Sequence, residues 1–233
     1  MRGSGSLSLK NSTIRLVTIS LALLIASPRI IAAYPAGDGN FLFRVENHDV
    51  QLAYPNSTRQ TRMTNLTASW EQTLNSRLRG GIQLSYLDLS QTSNLLFSGT
   101  SSTGYGVGIN LQALLIDRQQ LEMALRLGYG YQSTDGGTAN QNTEYRWHRL
   151  EGGVDVTLFP KASVAVLAGA SLISLDGEQR DSGVINRITS FSENDPLGYY
   201  GGLSIRTDPS GRIGLKWYGG YSQGFYLLFS RNY

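Results

Sequence analysis

The sequence predicts an all-β protein, one closed, antiparallel up-and-down barrel of about ten membrane-crossing strands (eight is the alternative count) behind an N-terminal export signal. Three observations predict it. Leu121–Gln132 carries a large apolar or aromatic side chain at every odd position and Gly, Ala or a polar residue at every even one. Successive side chains of a strand point to opposite faces, so this is a two-faced strand. Segments of the same kind recur along the chain, and the connections between them alternate in length. The third observation is a leader over residues 1–33.

In the leader, Arg2, Lys10 and Arg15 form a basic stretch, and Leu16 to Ala26 is an unbroken run of apolar and small residues. That run is the right length for a signal-peptide core and too short to span a bilayer. Small residues at Ala32, Ala33 and Ala36 follow, and cleavage after Ala33 is expected, leaving residues 34–233 as a single barrel domain. The leader holds four of the 20 basic residues and no acid, so 16 Lys plus Arg face 17 Asp plus Glu in the remainder. The basic charge therefore belongs to the leader, and a nucleic-acid partner is not indicated. The chain has no cysteine, which excludes a disulfide framework, a thiolate metal site and a lipid-bearing cysteine.

The strands follow in order. Asp49–Tyr54 groups Val50, Leu52 and Tyr54, with Phe41, Phe43 and Val45 suggesting an earlier start. Asn65–Leu74 groups Leu66, Ala68, Trp70 and Leu74; Leu78–Leu87 groups Leu78, Ile82, Leu84 and Tyr86. Gly104–Leu115 sets Tyr105, Val107, Ile109 and Leu111 against three glycines, Asn110 and Gln112. After Leu121–Gln132 come Tyr145–Leu158, the Ala-rich Ala162–Leu172 (whose composition also suits a helix), Leu197–Ile205, Arg212–Tyr221 and Phe225–Tyr233. Most have the nine to eleven residues that a tilted membrane strand needs. Short links are expected at Asn75–Arg77, Asp117–Gln120, Phe159–Lys161 and Asp208–Gly211. Longer polar loops are expected at Pro55–Arg62, Ser90–Thr103, Ser133–Thr143 and Asp176–Asp195, with a tight turn at Ser222–Gly224. Short turns on one side and long loops on the other suit an outer-membrane barrel whose short turns are periplasmic.

Alternation alone does not say which face meets lipid. On Gly104–Leu115 the face opposite the apolar one is Gly, Asn and Gln without charge, which suits a crowded barrel interior better than bulk water. The apolar face is therefore assigned to lipid, and closure is required because hydrocarbon offers no partner to a free sheet edge. Tyr54, Tyr86, Tyr129, Tyr131 and Tyr221 end upward strands, and Tyr105, Tyr145, Tyr199 and Phe225 begin downward ones. All nine are expected in an aromatic girdle at the long-loop rim, where an apolar ring with a polar tip is favoured.

At the C-terminus, Phe225, Leu227, Phe229 and Tyr233 alternate up to a final aromatic residue. This resembles the C-terminal signal of Gram-negative outer-membrane β-barrel proteins, although Arg231 stands where those proteins usually have an apolar residue. The resemblance implies residence in a Gram-negative outer membrane, contact with outer-membrane lipid and lipopolysaccharide, and recognition by the barrel-assembly machinery.

Charged residues on the inner face predict a lumen network: Glu71 with Arg79 around the Asn75–Arg77 turn, Arg126 with Glu151, Glu122 near Asp155, and Arg206 with Arg212 around the Asp208–Gly211 turn. A charge in a narrow lumen is costly unless paired or hydrated. The sequence shows no metal-ligand spacing, and Gly104, Gly106 and Gly108 alternate within a strand rather than forming a phosphate loop. No cofactor, metal or catalytic residue is expected, and the chain is read as a non-enzyme. The expected role is an envelope barrel with a narrow or side-chain-filled lumen, serving envelope structure, surface interaction through the 176–195 loop, or restricted solute passage. A porin-like channel is the first alternative. A lipid A-modifying enzyme or protease is the second, and it would need His48 or His148 to meet a residue such as Asp181 or Ser182.

Overall fold

The computed structural model describes residues 39–91 and 101–233; the expected leader and its cleavage point lie outside them. Eleven strands follow one another: β1 (Gly39–Tyr54), β2 (Ser57–Asn75), β3 (Leu78–Gln91), β4 (Ser101–Asp117), β5 (Leu121–Thr138), β6 (Gln141–Leu158), β7 (Val164–Gly183), β8 (Arg187–Glu193), β9 (Leu197–Arg206), β10 (Gly211–Gly220) and β11 (Ser222–Asn232). Ten of them close an antiparallel ring in chain order, from β1 to β7 and on through β9, β10 and β11, where β11 pairs with β1 from Asn40↔Asn232 to Val50↔Ser222. The Ala-rich segment is a strand, part of β7. Tracing the ladder from Glu46 through β2 leads to Gln179 of β7, and tracing it through β11 leads to Leu167, twelve residues away on the same strand. A stagger of that size over ten strands corresponds to a tilt of about 40°.

The eleventh strand gives the barrel two storeys. β9, β10 and β11 are short and end level with Leu172 of β7 and Val50 of β1. Above that level β7 continues, β8 folds down beside it from Asp181↔Arg187 to Asp176↔Ser192, and β8 meets β1 through Leu52↔Glu193 and Ala53↔Ser192. The upper storey is thus closed by eight strands, a number whose interior is just wide enough for side chains to fill.

The chemistry of the wall inverts between the storeys while the pleat runs on. On β1, Phe41 and Phe43 face outward, whereas Val50, Leu52 and Tyr54 face inward and are buried. On β3, Ile82, Leu84 and Tyr86 are exposed and Leu87 and Leu89 are buried; on β7 the switch falls between Leu172 and Ile173. Outward positions above the switch are mostly polar, among them Asp49, Arg62, Asp88, Arg146 and Asp176, with Ile188 of β8 an exception. A strand in one solvent keeps its apolar residues in one phase, so a phase change at constant register marks a change of surroundings.

This inversion corrects several expectations. The polar stretches Pro55–Arg62, Ser133–Thr143 and Asp176–Asp195 are mostly strand, because β2 starts at Ser57, β5 and β6 are separated only by residues 139–140, and β7 and β8 occupy most of the third. They read as loops because a wall in water carries polar residues on its outer face. Ser222–Gly224 is strand as well; the turn is Gly220–Tyr221, and the positive φ of 81° at Gly220 suits glycine there. Tyr54, Tyr145 and Tyr221 lie inside the upper storey and do not belong to an outward girdle. The six other aromatics of that set, Tyr86, Tyr105, Tyr129, Tyr131, Tyr199 and Phe225, stand on the outward face near the switch, with Tyr105 74% exposed.

Candidate functional site in the lumen

The lumen of the lower storey is a charged layer. Alternation sends Arg126 of β5 and Glu151 and Asp155 of β6 to the inside, and the register sets Arg126 opposite Gly153, midway between the two acids. Its guanidinium reaches both: Nη2 is 2.9 Å from Glu151 Oε1 and Nε is 3.3 Å from Asp155 Oδ2. Arg149, two residues before Glu151, donates from Nη2 to Glu151 Oε2 at 2.7 Å. Across the barrel, Arg44 lies 3.7 Å from Glu46 and donates to Gln83. Tyr200 donates its hydroxyl to Asp155 at 2.8 Å, and the Lys216 ammonium sits 3.9 Å from the centre of the same ring. Tyr218 and Tyr226 complete this aromatic shelf.

Nearer the short-turn end, Arg79 is 3.9 Å from Glu71, and Asn110 donates to the same carboxylate at 2.8 Å. Arg206 and Arg212 are direct cross-strand partners, and Arg212 donates to Ser204 and to the carbonyl of Pro160. Glu122 and Asp155 are not directly opposite: Glu122 faces Thr157 and Asp155 faces Ala124.

A cavity of about 120 Å³ opens among Arg44, Glu46, His48, Arg126, Arg149 and Glu151. Ile173 belongs both to its lining and to the dry core above. That core fills the upper storey with Val50, Leu52, Tyr54, Met63, Leu87, Leu89, Tyr145, Trp147, Ile173, Leu175, Phe191 and Tyr221. Phe191 is its hub, with ring centres 5.5 Å from Tyr54, 6.3 Å from Tyr145 and 6.4 Å from Trp147. A Cβ on Gly177 would run into Phe191 and Trp147, so only glycine lets the ring lie against β7.

Polar groups finish the top. Gln91 donates to Tyr54 and Thr61 and accepts from Tyr145, and burial pushes the Tyr54 phenol up. Arg59 lies over the Tyr54 ring and donates to Gln179, while Asp181 accepts from Thr143, Gln179 and Arg187.

The histidines are far apart in environment. His48 is buried at the roof of the cavity, whereas His148 is on the outer wall with Nδ1 2.7 Å from Tyr129 Oη. Asp181, fully occupied in the top network, faces inward from β7, and Ser182 faces the other way. Among the described residues, no three His, Asp or Glu side chains form a group able to hold a metal ion.

Sequence reasoning passed over Arg44, Glu46, Arg149 and Lys216, and weighed His48 only for the enzyme alternative, not as part of the lumen. Their signal was present as alternate-residue charge, Arg44-x-Glu46-x-His48 and Arg149-x-Glu151, on the same parity as Asn40 and Asp155.

No family model matches the chain, and no curated protein matches it. Solved structures do. The outer membrane protease OmpT from Escherichia coli is 7% identical and superposes with a TM-score of 0.51 over 88% of this chain and 98% of that one. An outer membrane channel from Pseudomonas putida F1 is 8% identical, with a TM-score of 0.47 over 89% and 100% of the two chains. The translocator domain of the autotransporter NalP from Neisseria meningitidis is also 8% identical, at 0.44 over 96% and 95%. At these identities the likeness to OmpT concerns the fold alone: this chain has the architecture of an outer-membrane β-barrel.

Proposed function

We propose that the protein is a non-conducting barrel of a Gram-negative outer membrane, contributing to envelope structure and surface presentation rather than to solute passage. The observation that carries this reading is the buried aromatic and aliphatic core of the upper storey, to which six of its eight strands and Tyr221 contribute. An ion crossing it would shed its hydration shell against groups that offer no replacement ligands. The exposed apolar zone from Phe41, Trp70 and Ile82 round to Trp217 and Phe229 supports seating in lipid, since monomers in water rarely expose a continuous apolar patch of such extent. Tyr86, Tyr105, Tyr129, Tyr131, Tyr199 and Phe225 then lie at the outer membrane–water interface against lipopolysaccharide. Phe225, Leu227, Phe229 and Tyr233 share one outward face, as a recognition strand for the assembly machinery requires. The surface segment available to a ligand is the β7–β8 hairpin rather than a loose loop. The separation of His48 and His148 from each other and from Asp181 supports a non-enzymatic role.

Planar-bilayer recording of the refolded barrel tests the reading. Traces without conductance steps are expected; reproducible single-channel steps, unaltered by substitutions in the upper core, would replace it with the channel alternative.

A further inference from the structure

The charged layer does not balance. Around and just below the cavity lie four cations, Arg44, Arg126, Arg149 and Lys216, and three carboxylates, Glu46, Glu151 and Asp155. With His48 neutral, one positive charge is left over, and the Glu71–Arg79 pair below is itself neutral. Lys216 meets the rings of Tyr200 and Tyr226 rather than a carboxylate among the described residues. A surplus charge in a narrow, lipid-wrapped lumen is expensive without a counter-ion.

Hydrogen bonding points the same way. Among the described residues, the buried Nε–H groups of Arg44 and Arg149 have no acceptor, and that of Arg126, though 3.3 Å from Asp155, makes no hydrogen bond. All three arginines line the same cavity of about 120 Å³. Two acceptors, Asn65 Oδ1 and Asn110 Oδ1, are also unpartnered there among the described residues and suit waters beside the ion. We propose that the cavity binds one small monovalent anion, a halide or a short carboxylate, as the counter-ion of this layer. The site is a structural anion site, closed from above by the apolar core, and in that one respect it rests on the closed-lumen reading.

Two measurements on the full barrel in detergent test it. The first locates bromide by its anomalous signal in soaked crystals. A peak within hydrogen-bond reach of the Arg44 and Arg149 Nε atoms is expected. The second follows heat-modifiable gel migration in chloride, acetate or gluconate at equal ionic strength, gluconate being the far bulkier anion. A higher midpoint in chloride assigns a halide, and one in acetate alone, without a bromide peak, assigns a carboxylate; either supports the site. Gln83→Glu, beside Arg44, supplies a built-in counter-charge and is expected to abolish the anion dependence while keeping the fold. Ordered water alone in the cavity, together with equal midpoints in all three salts, would overturn the proposal. Conductance is read separately, so a leaking upper core and an empty anion site are distinguishable results.

Discussion

At the scale of single residues, the two storeys fail in different ways. Phe191 is packed against three aromatic rings in the dry core, so truncation leaves a cavity that rigid strands cannot collapse. Phe191→Ala is expected to cost about 3–5 kcal/mol, read as a lower urea midpoint for the refolded barrel. Below it, Glu151 is shared by two guanidiniums at 2.9 and 2.7 Å. Glu151→Gln removes the charge and leaves both cations buried, a loss of about 3–5 kcal/mol, while Glu151→Asp should retain part of the pairing. Asp208 shows the weaker effect of an exposed turn. Hydrogen bonds from Ser210, and the Gly211 amide, hold its carboxyl below the ordinary value. Since its folded pKa is depressed, its stabilising contribution is present above the unfolded carboxylate pKa and fades as pH falls through the folded one. Asp208→Ala should therefore narrow the difference in stability between neutral and strongly acid solution, by a small amount.

At the scale of the strand, the useful contrast is between two outward positions of one element. Ile109 and Thr103 both face outward on β4, Ile109 in the apolar zone and Thr103 above the tyrosines. Ile109→Arg is expected to destabilise the barrel in vesicles by about 2–4 kcal/mol, and Thr103→Arg by about 0–1. Equal costs would place the membrane boundary elsewhere. The strands themselves were legible because alternation is a backbone property: seven expected segments lie within observed strands, and Ala162–Leu172, Arg212–Tyr221 and Phe225–Tyr233 overrun β7, β10 and β11 by only one or two residues. Their upper halves were not, because one apolar face per strand was assumed. The phase change was already written in β1, where Phe41, Phe43 and Val45 are odd and Val50, Leu52 and Tyr54 even. Read as one lipid-facing set, the second trio put Tyr54 on the wrong side of the wall. The Arg126, Glu151 and Asp155 cluster follows from parity and register, but Lys216 and the tyrosine shelf come from strands far away in sequence, which only closure of the ring brings across the lumen.

At the scale of the whole molecule, the barrel holds a lipid-facing belt and a dry core at different heights, and its three tryptophans report on both. Trp70 and Trp217 stand outward in the belt and are about half exposed, whereas Trp147 is buried beside Phe191 in the upper core. If the belt lies in hydrocarbon and the core above it, brominated acyl chains should quench the fluorescence of variants that keep only Trp70 or only Trp217. A variant that keeps only Trp147 should escape both brominated lipid and aqueous acrylamide, because the ring is enclosed by protein on all sides. A soluble barrel would instead leave Trp70 and Trp217 open to acrylamide and untouched by lipid. Quenching of Trp147 by acrylamide alone would mean that water reaches the core, and with it the seal on the lumen would be lost. The measurement thus reads membrane seating and closure independently, from one residue type in three positions that the wall's inversion sets apart.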